Sequence, residues 1–370
     1  MSVNAFFRWC GANAMPLIAV LAAAVTACVV PPDAAYLGYY DVKTLSCLFC
    51  VLAVVMALRG VGLFPALAQR LIRVFHTTRS VVTALVLITL AGSMLLTNDT
   101  ALLTFLPLSW FVLHETGQER LTAITFILQN CAANLGGMLT PFGNPQNLYL
   151  FNHYGIPNGR FIAIMLPPFL LSTALILLCC LLIRPRPLTV PAGQTRLDKT
   201  RTAVYLLLFC GAVAMVLRAV PCWAGLAVIT AVLLVMDRRA LRGVDWGLLV
   251  TFAAFFTFSG NMARMETVRA LFARLLTHGT MLIAALTSQI ISNVPAAILL
   301  SQFTDDYPGL LVGVNIGGAG TLVASLASLI TFREYTRHIS GRTGRFLALF
   351  TAVSFGFLAV LLAAMSLLTR

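Results

Sequence analysis

Apolar runs recur along the whole chain, most of them near the ~20 residues that cross the ~30 Å hydrocarbon layer of a bilayer as a helix. They lie near 11–31, 44–58, 121–151, 161–183, 202–219, 222–236, 246–262, 308–331 and 346–368. Only 10% of the 370 residues are charged, against about 25% in ordinary soluble domains. A soluble enzyme, a disordered scaffold and a nucleic-acid binder are excluded on that ground, and the sequence predicts an all-α polytopic membrane protein. The formal charge of +13 arrives in short bursts between apolar runs and forms no continuous basic face, so no nucleic-acid partner is expected.

Two further apolar stretches, 80–113 and 280–304, depart from that template. Polar residues interrupt each midway, Thr97-Asn98-Asp99-Thr100 in one and Ser292-Asn293-Val294-Pro295 in the other. Each reads as a re-entrant hairpin, two half-helices that enter and leave by the same face with a tip shielded from lipid. Nine spans then remain and the termini fall on opposite sides. With the N-terminus cytoplasmic and the C-terminus outside, 18 of the 25 Lys and Arg lie on inner segments, the positive-inside distribution of a cytoplasmic-membrane protein. Amphipathic pieces at 60–78 and 263–278 precede the hairpins and fit interfacial helices. The Pro- and Arg-containing loop 184–201 separates a first repeat, 1–183, from a second, 202–370. The apolar run after Arg8 resembles a secretory signal as far as Val30, but it continues past Cys28 and many spans follow, so it reads as a retained span. The nine cysteines, Cys47-x-x-Cys50 included, read as small buried hydrophobes.

The halves also repeat in sequence. Ser93-x-x-x-Thr97-Asn98 matches Ser288-x-x-x-Ser292-Asn293, and Asn134-Leu-Gly-Gly137-x-x-Thr140 matches Asn315-Ile-Gly-Gly318-x-x-Thr321 in the span after each hairpin. On the orientation above, the first hairpin opens inward and the second outward. Inverted repeats of broken helices are the signature of a secondary transporter whose site lies where the breaks meet. The spans 121–151 and 308–331 are themselves interrupted, the first by Pro141, Gly143 and Pro145, the second by Gly317, Gly318 and Gly320. Thr140, Asn144, Asn147, Thr321 and Ser325 therefore join Asn98 and Asn293 as candidate substrate-binding residues. Each taken singly has a plainer role, as a half-helix cap or a close-packing face; the paired duplication favours the site.

On Thr97-Asn98-Asp99-Thr100, Thr140-Pro-Phe-Gly-Asn-Pro-Gln-Asn147 and Ser292-Asn293, the sequence resembles the ion transporter superfamily, over roughly 40–370. That superfamily includes divalent-anion/sodium symporters, citrate transporters, arsenical pump permeases and some sodium/proton antiporters, and the chain most resembles the bacterial anion or citrate permease branch. The resemblance implies a homodimer in which each protomer has a scaffold and a moving transport domain. It also implies that Ser93, Thr97, Asn98 and Gly143 form one ion site, and Ser288, Ser292, Asn293 and the carbonyl of Ala324 a second, either able to hold sodium. Asp99 stands where the sodium-coupled members carry Thr, and Val294-Pro295 replaces the second Thr. The Asn98-Asp99 pair is closer to the arsenical permeases.

Asp99 is the one ionisable group the sequence places deep in the membrane, where a carboxylate costs at least ~2.5–3.5 kcal/mol. It can carry a proton, pair with a bound cation, or cap the second arm of its hairpin. No Arg, Lys or His falls in the expected site, so a small anion or oxyanion would be held by helix N-termini, hydroxyls and amides. A gradient-driven transporter is favoured over a passive channel, which needs no inverted repeat, and over an intramembrane enzyme, for which no His-Glu-x-x-His, Gly-x-Ser-x-Gly or paired carboxylates occur. A sodium/proton antiporter without organic substrate stands beside it. No cofactor is expected beyond a coupling ion, proton or sodium; the partners are the substrate, membrane lipid and a second copy of the chain.

Overall fold

Aspartates and prolines set where the helices begin. Asp41, Asp198, Asp245 and Asp306 each precede a helix and accept the N–H three residues on, from Thr44 (2.9 Å), Arg201 (3.1 Å), Leu248 (2.9 Å) and Gly309 (3.0 Å), satisfying donors that a helix start leaves open. The computed structural model describes residues 14–64, 66, 74–188 and 197–368. Its helices are α1 (Ala14–Val29), α2 (Val42–Gly60), α3 (Thr78–Leu95), α4 (Asn98–Glu115), α5 (Thr122–Gly136), α6 (Pro145–His153), α7 (Asn158–Leu181), α8 (Lys199–Val216), α9 (Cys222–Met236), α10 (Arg238–Arg242), α11 (Trp246–Arg264), α12 (Glu266–Leu276), α13 (Thr280–Ile291), α14 (Asn293–Leu300), α15 (Tyr307–Gly317), α16 (Leu326–His338) and α17 (Thr343–Leu368). No β-strand occurs among the described residues. Six of their helices, α2, α3, α7, α8, α11 and α17, are at least 18 residues long and apolar enough to cross a membrane. Large apolar side chains such as Trp223, Val235, Leu207 and Phe355 point outward, the reverse of what water around the bundle would select. The protein is an all-α, multi-pass membrane protein.

Cross-helix hydrogen bonds fix the direction of each segment. Gln129 donates to Leu85 O and Thr89 Oγ1, Ser93 to Ala132 O, and Thr140 to Met94 O, so α3 runs parallel to α5. Helix α4 turns back, and the first hairpin opens toward the start of α5. In the second half, Gln289 donates to Gly317 O and Thr321 to Gln289 O, while Gly313 lies against Met281 and Gly317 against Ser288; α13 runs parallel to α15, and the second hairpin opens toward the start of α15. Helix α16 then descends along α4 and α5, from Ser328, which accepts from Asn130 (3.3 Å), to His338, stacked 4.5 Å from Trp110 near the base of the first hairpin. Conversely α6 runs toward the base of the second hairpin, where Tyr149 meets Ser301 (2.8 Å) and Tyr154 donates to Thr304 O (2.6 Å). The α5–α6 and α15–α16 segments thus each run from the base of one hairpin toward the base of the other. Outside this paired core, α1 packs chiefly on α11, and α8 and α9 on α2.

Several boundaries differ from the sequence reading. The first hairpin spans 78–115, and its 18-residue arms are each about 27 Å long. Those of the second have 12 and 8 residues, about 18 and 12 Å, and 301–304 is a turn. Both breaks are narrower than expected, Leu96-Thr97 in one hairpin and Ser292 alone in the other. Asn98–Thr100 and Asn293–Pro295 already form first helical turns, where amides have no intrahelical acceptor and Pro295 costs no bond. Of the predicted interfacial pieces, 263–278 contains α12, which buries no residue. Of the other, 60–78, residues 65 and 67–73 lie outside the described residues, as do Arg8, Arg196 and Arg370, the start of the first span, and 189–196 of the linker.

Candidate functional site

Each hairpin tip is anchored to the break in its broken span by the same bond. The N–H of Asn98 donates to Gly143 O (3.2 Å) and that of Asn293 to Ala324 O (2.9 Å). Behind each anchor a serine of the hairpin meets a glycine of the span. A Cβ on Gly136 would lie 2.7 Å from Ser93 Oγ, and one on Gly317 2.8 Å from Ser288 Cβ, so only glycine permits these approaches. Beside each anchor a threonine hydroxyl donates to a hairpin carbonyl, Thr140 to Met94 O (2.7 Å) and Thr321 to Gln289 O (3.0 Å). The two sets match position for position.

Polar side chains connect the breaks, within the first half and from it to the second. Asn98 Nδ2 donates to Asn134 Oδ1 (3.1 Å), and Asn144 and Gln146 both donate to Asn315 Oδ1 (3.1 and 3.2 Å). On one side of this polar core lies a cavity of about 330 Å³ bordered by Asn98 and Asp99 at the start of α4, Pro145 and Gln146 at the start of α6, Asn293 at the start of α14, and Leu326 at the start of α16. Four helix N-termini thus converge on one space. Its opposite wall comes from α1 and α11, with Asp245, and Arg333 of α16 closes a further side. Asp99 Oδ1 and Gln146 Oε1 are buried acceptors without a hydrogen-bond partner among the described residues, as is Asn144 Oδ1 behind them. A second cavity, about 320 Å³, lies at the far end of α6 and α14, bordered by Tyr40, Asp41, Tyr149, His153 and Gln302. No cluster of metal-ligating side chains occurs among the described residues.

The profile of the citrate transporter family matches residues 7–306. The chain belongs to this family. Among similar proteins, an uncharacterised transporter of Methanocaldococcus jannaschii is 31% identical over 82% of this chain and 84% of its own length. Inner membrane protein YbiR of Escherichia coli is 32% identical over 74% of each. The silicon efflux transporter LSI3 of rice, Oryza sativa, is 32% identical over 41% of this chain and 31% of its own. As a member of the citrate transporter family, the protein is a secondary transporter.

The candidate residues of this citrate transporter family member divide into two groups. Asn98, Asp99, Ser292 and Asn293 border the cavity. Thr140, Asn144, Asn147, Thr321 and Ser325 stand behind it, bracing the breaks. Asn147 donates to Met138 O (3.2 Å) and Thr140 O (3.3 Å) and accepts from Asn315 (2.6 Å), while Ser325 caps α16 through the N–H of Ser328 (3.2 Å). Ser93 and Ser288 donate to carbonyls of their own helices, Leu90 O and Ala284 O (2.8 Å each). Thr97 pairs with Thr100 (2.9 Å), and Gly143 and Ala324 offer the carbonyls that receive the tips.

Two expectations are corrected. A cation, Arg333, does border the cavity, and Asp99 shares it with a second carboxylate, Asp245. Asp245 and Arg333 each sit at a helix end or on a descending face that hydropathy assigns to a loop, and only the folding back of α16 and α11 brings them to the tips.

Proposed function

We propose that the protein moves a small anion or oxyanion, carboxylate-like or arsenical, across the cytoplasmic membrane by an elevator-type motion coupled to protons or sodium. The observation that carries this reading is the convergence of four helix N-termini on one cavity. Each N-terminus presents roughly half a positive charge and unpaired N–H groups, which suits a substrate of one or two negative charges. The two carboxylates against one arginine make the cavity formally negative, so an entering anion favours a positive co-ion. Unpartnered oxygens on Asp99, Asn144 and Gln146 are acceptors that a proton or sodium would satisfy, and buried acceptors left open are costly.

In this reading 1–183 and 202–370 are inverted repeats joined by the linker 184–201, with re-entrant hairpins, the N-terminus inside and the C-terminus outside. The hairpins and broken spans form the moving domain of each protomer of a homodimer, and α1, α2, α8, α9 and α11 the scaffold. Cavities between these two groups at both ends of α6 and α14 support alternating access. Ser93, Thr97, Asn98 and Gly143, and Ser288, Ser292, Asn293 and Ala324, are the places where sodium would sit if sodium is the driver.

The test is uptake into proteoliposomes, after a thermal-shift screen of di- and tricarboxylates, arsenite, sulfate and sodium has selected ligands that stabilise the folded state. Accumulation of a selected anion above equilibrium under an imposed proton or sodium gradient is the expected result. Passive dissipation alone means a channel, and ion exchange without anion movement means an antiporter; either outcome overturns the proposal.

A further inference from the structure

At the base of the first hairpin, away from the transport cavity, α5, α16 and α17 enclose a separate cavity of about 210 Å³. Three arginines border it, Arg120 ahead of α5 and Arg342 and Arg345 at the start of α17. None of them forms an ion pair with a described residue. The cavity's one carboxylate, Glu119, is engaged by His114 (2.5 Å). Tyr335 borders the same space. Its side chain is 97% buried and stacks on Phe346, with ring centroids 4.0 Å apart.

A net positive cavity lined by three arginines and a tyrosine calls for an anion with several acceptor oxygens, and guanidinium groups match phosphate by paired N–H donors. The surroundings say which phosphate. Leu349 borders the cavity and is 37% exposed, and along the same helix Phe355 and Val360 are 41% and 46% exposed. An outward apolar face therefore begins where the arginines end. That is the layout of a headgroup above its acyl chains, and basic pockets between membrane helices bind anionic lipid in this way.

We propose that this cavity binds the phosphate of an anionic phospholipid, with Arg120, Arg342 and Arg345 on the phosphate oxygens, Tyr335 donating to one of them, and the acyl chains along α17.

The probes are phosphatidylglycerol and cardiolipin, with phosphatidylcholine and glycerol phosphate as comparators, added to purified full-length protein in neutral detergent. Native mass spectrometry reads bound lipid on the folded ion, and a thermal shift reads its effect. Anionic lipid stays bound and raises the melting temperature by roughly 5 °C at a hundredfold excess over its dissociation constant, whereas phosphatidylcholine and glycerol phosphate do not. Arg120→Gln/Arg342→Gln/Arg345→Gln loses both signals, and Arg184→Gln/Arg201→Gln, which removes two charges elsewhere, keeps them. Tyr335→Phe, which retains the ring stacking, weakens lipid binding several-fold and covers the case in which the triple variant does not fold. Equal retention of phosphatidylcholine, an equal shift with glycerol phosphate, or unchanged lipid binding in both Tyr335→Phe and the arginine variant overturns the proposal.

Discussion

The two hairpins share one architecture and have diverged in what their tips do. Both tips hang from a break by an asparagine N–H, both press a serine on a glycine, and both are steadied by a threonine hydroxyl. In the first half the break is held from inside its own span, by the amide of Asn147, and the residue after the tip asparagine is the carboxylate Asp99. In the second half the break is held by the hairpin, through Gln289, which donates to Gly317 O (2.7 Å) and accepts from the N–H of Thr321 (2.9 Å). There the residue after the tip asparagine is Val294. The second tip is also a single residue, Ser292, at φ 75° and ψ 155°, a region that only glycine enters readily; Thr97 in the first tip has ordinary extended geometry, φ −69°. The two halves thus share the frame, while the charge lies at the first tip and the positive φ at the second.

If the shared frame is what transport needs, the tip asparagines are equivalent. Asn98→Ala and Asn293→Ala should each reduce uptake to background with expression and monodisperse elution near wild type, since neither buries a new charge. Activity surviving in one variant would make the halves functionally unequal. The two braces should be interchangeable in size but local in effect. Asn147→Ala and Gln289→Ala each remove buried hydrogen bonds and should cost about 1–3 kcal/mol, with hydrogen exchange rising over 137–145 in the first variant and over 317–325 in the second. Exchange rising across both breaks would show them to be one cooperative unit. The smallest effect concerns the strain. Ser292→Gly and Ser292→Ala lose the same hydroxyl, but only glycine relieves the positive φ, so the glycine variant should be the more stable by about 1 kcal/mol in a thermal melt. Equal stability would mean that Ser292 carries no strain.

The frame was legible because it rests on residue types at fixed spacing. Ser93 to Asn98 and Ser288 to Asn293 keep the same interval, as do Asn134 to Thr140 and Asn315 to Thr321, and every one of these pairs occupies matching places in the fold. What the spacing could not reveal is which way a polar side chain turns. Asn144 and Asn147 belong to the same motif as Gln146, yet only Gln146 borders the cavity, because at the helix start successive side chains point about 100° apart and those of Asn144 and Asn147 turn toward the break. Arg333 and Asp245 were illegible for a different reason. They reach the tips through long-range packing of α16 and α11, and in sequence they look like the charged margins of ordinary spans. The breaks were read too wide because a run of polar residues looks like a loop, whereas Asn98 and Asp99 are helix-start residues.

The central claim is that the cavity takes an anion together with a positive ion, and that Asp99 links the two. Asp99→Asn retains size and an acceptor oxygen, caps nearly as well, and cannot titrate. The decisive measurement is the pH profile of gradient-driven anion uptake for the wild type and for Asp99→Asn, with counterflow exchange in the same proteoliposomes. The account predicts that the variant loses accumulation and its pH dependence while still exchanging substrate between the two sides. Identical pH profiles with accumulation intact would contradict it.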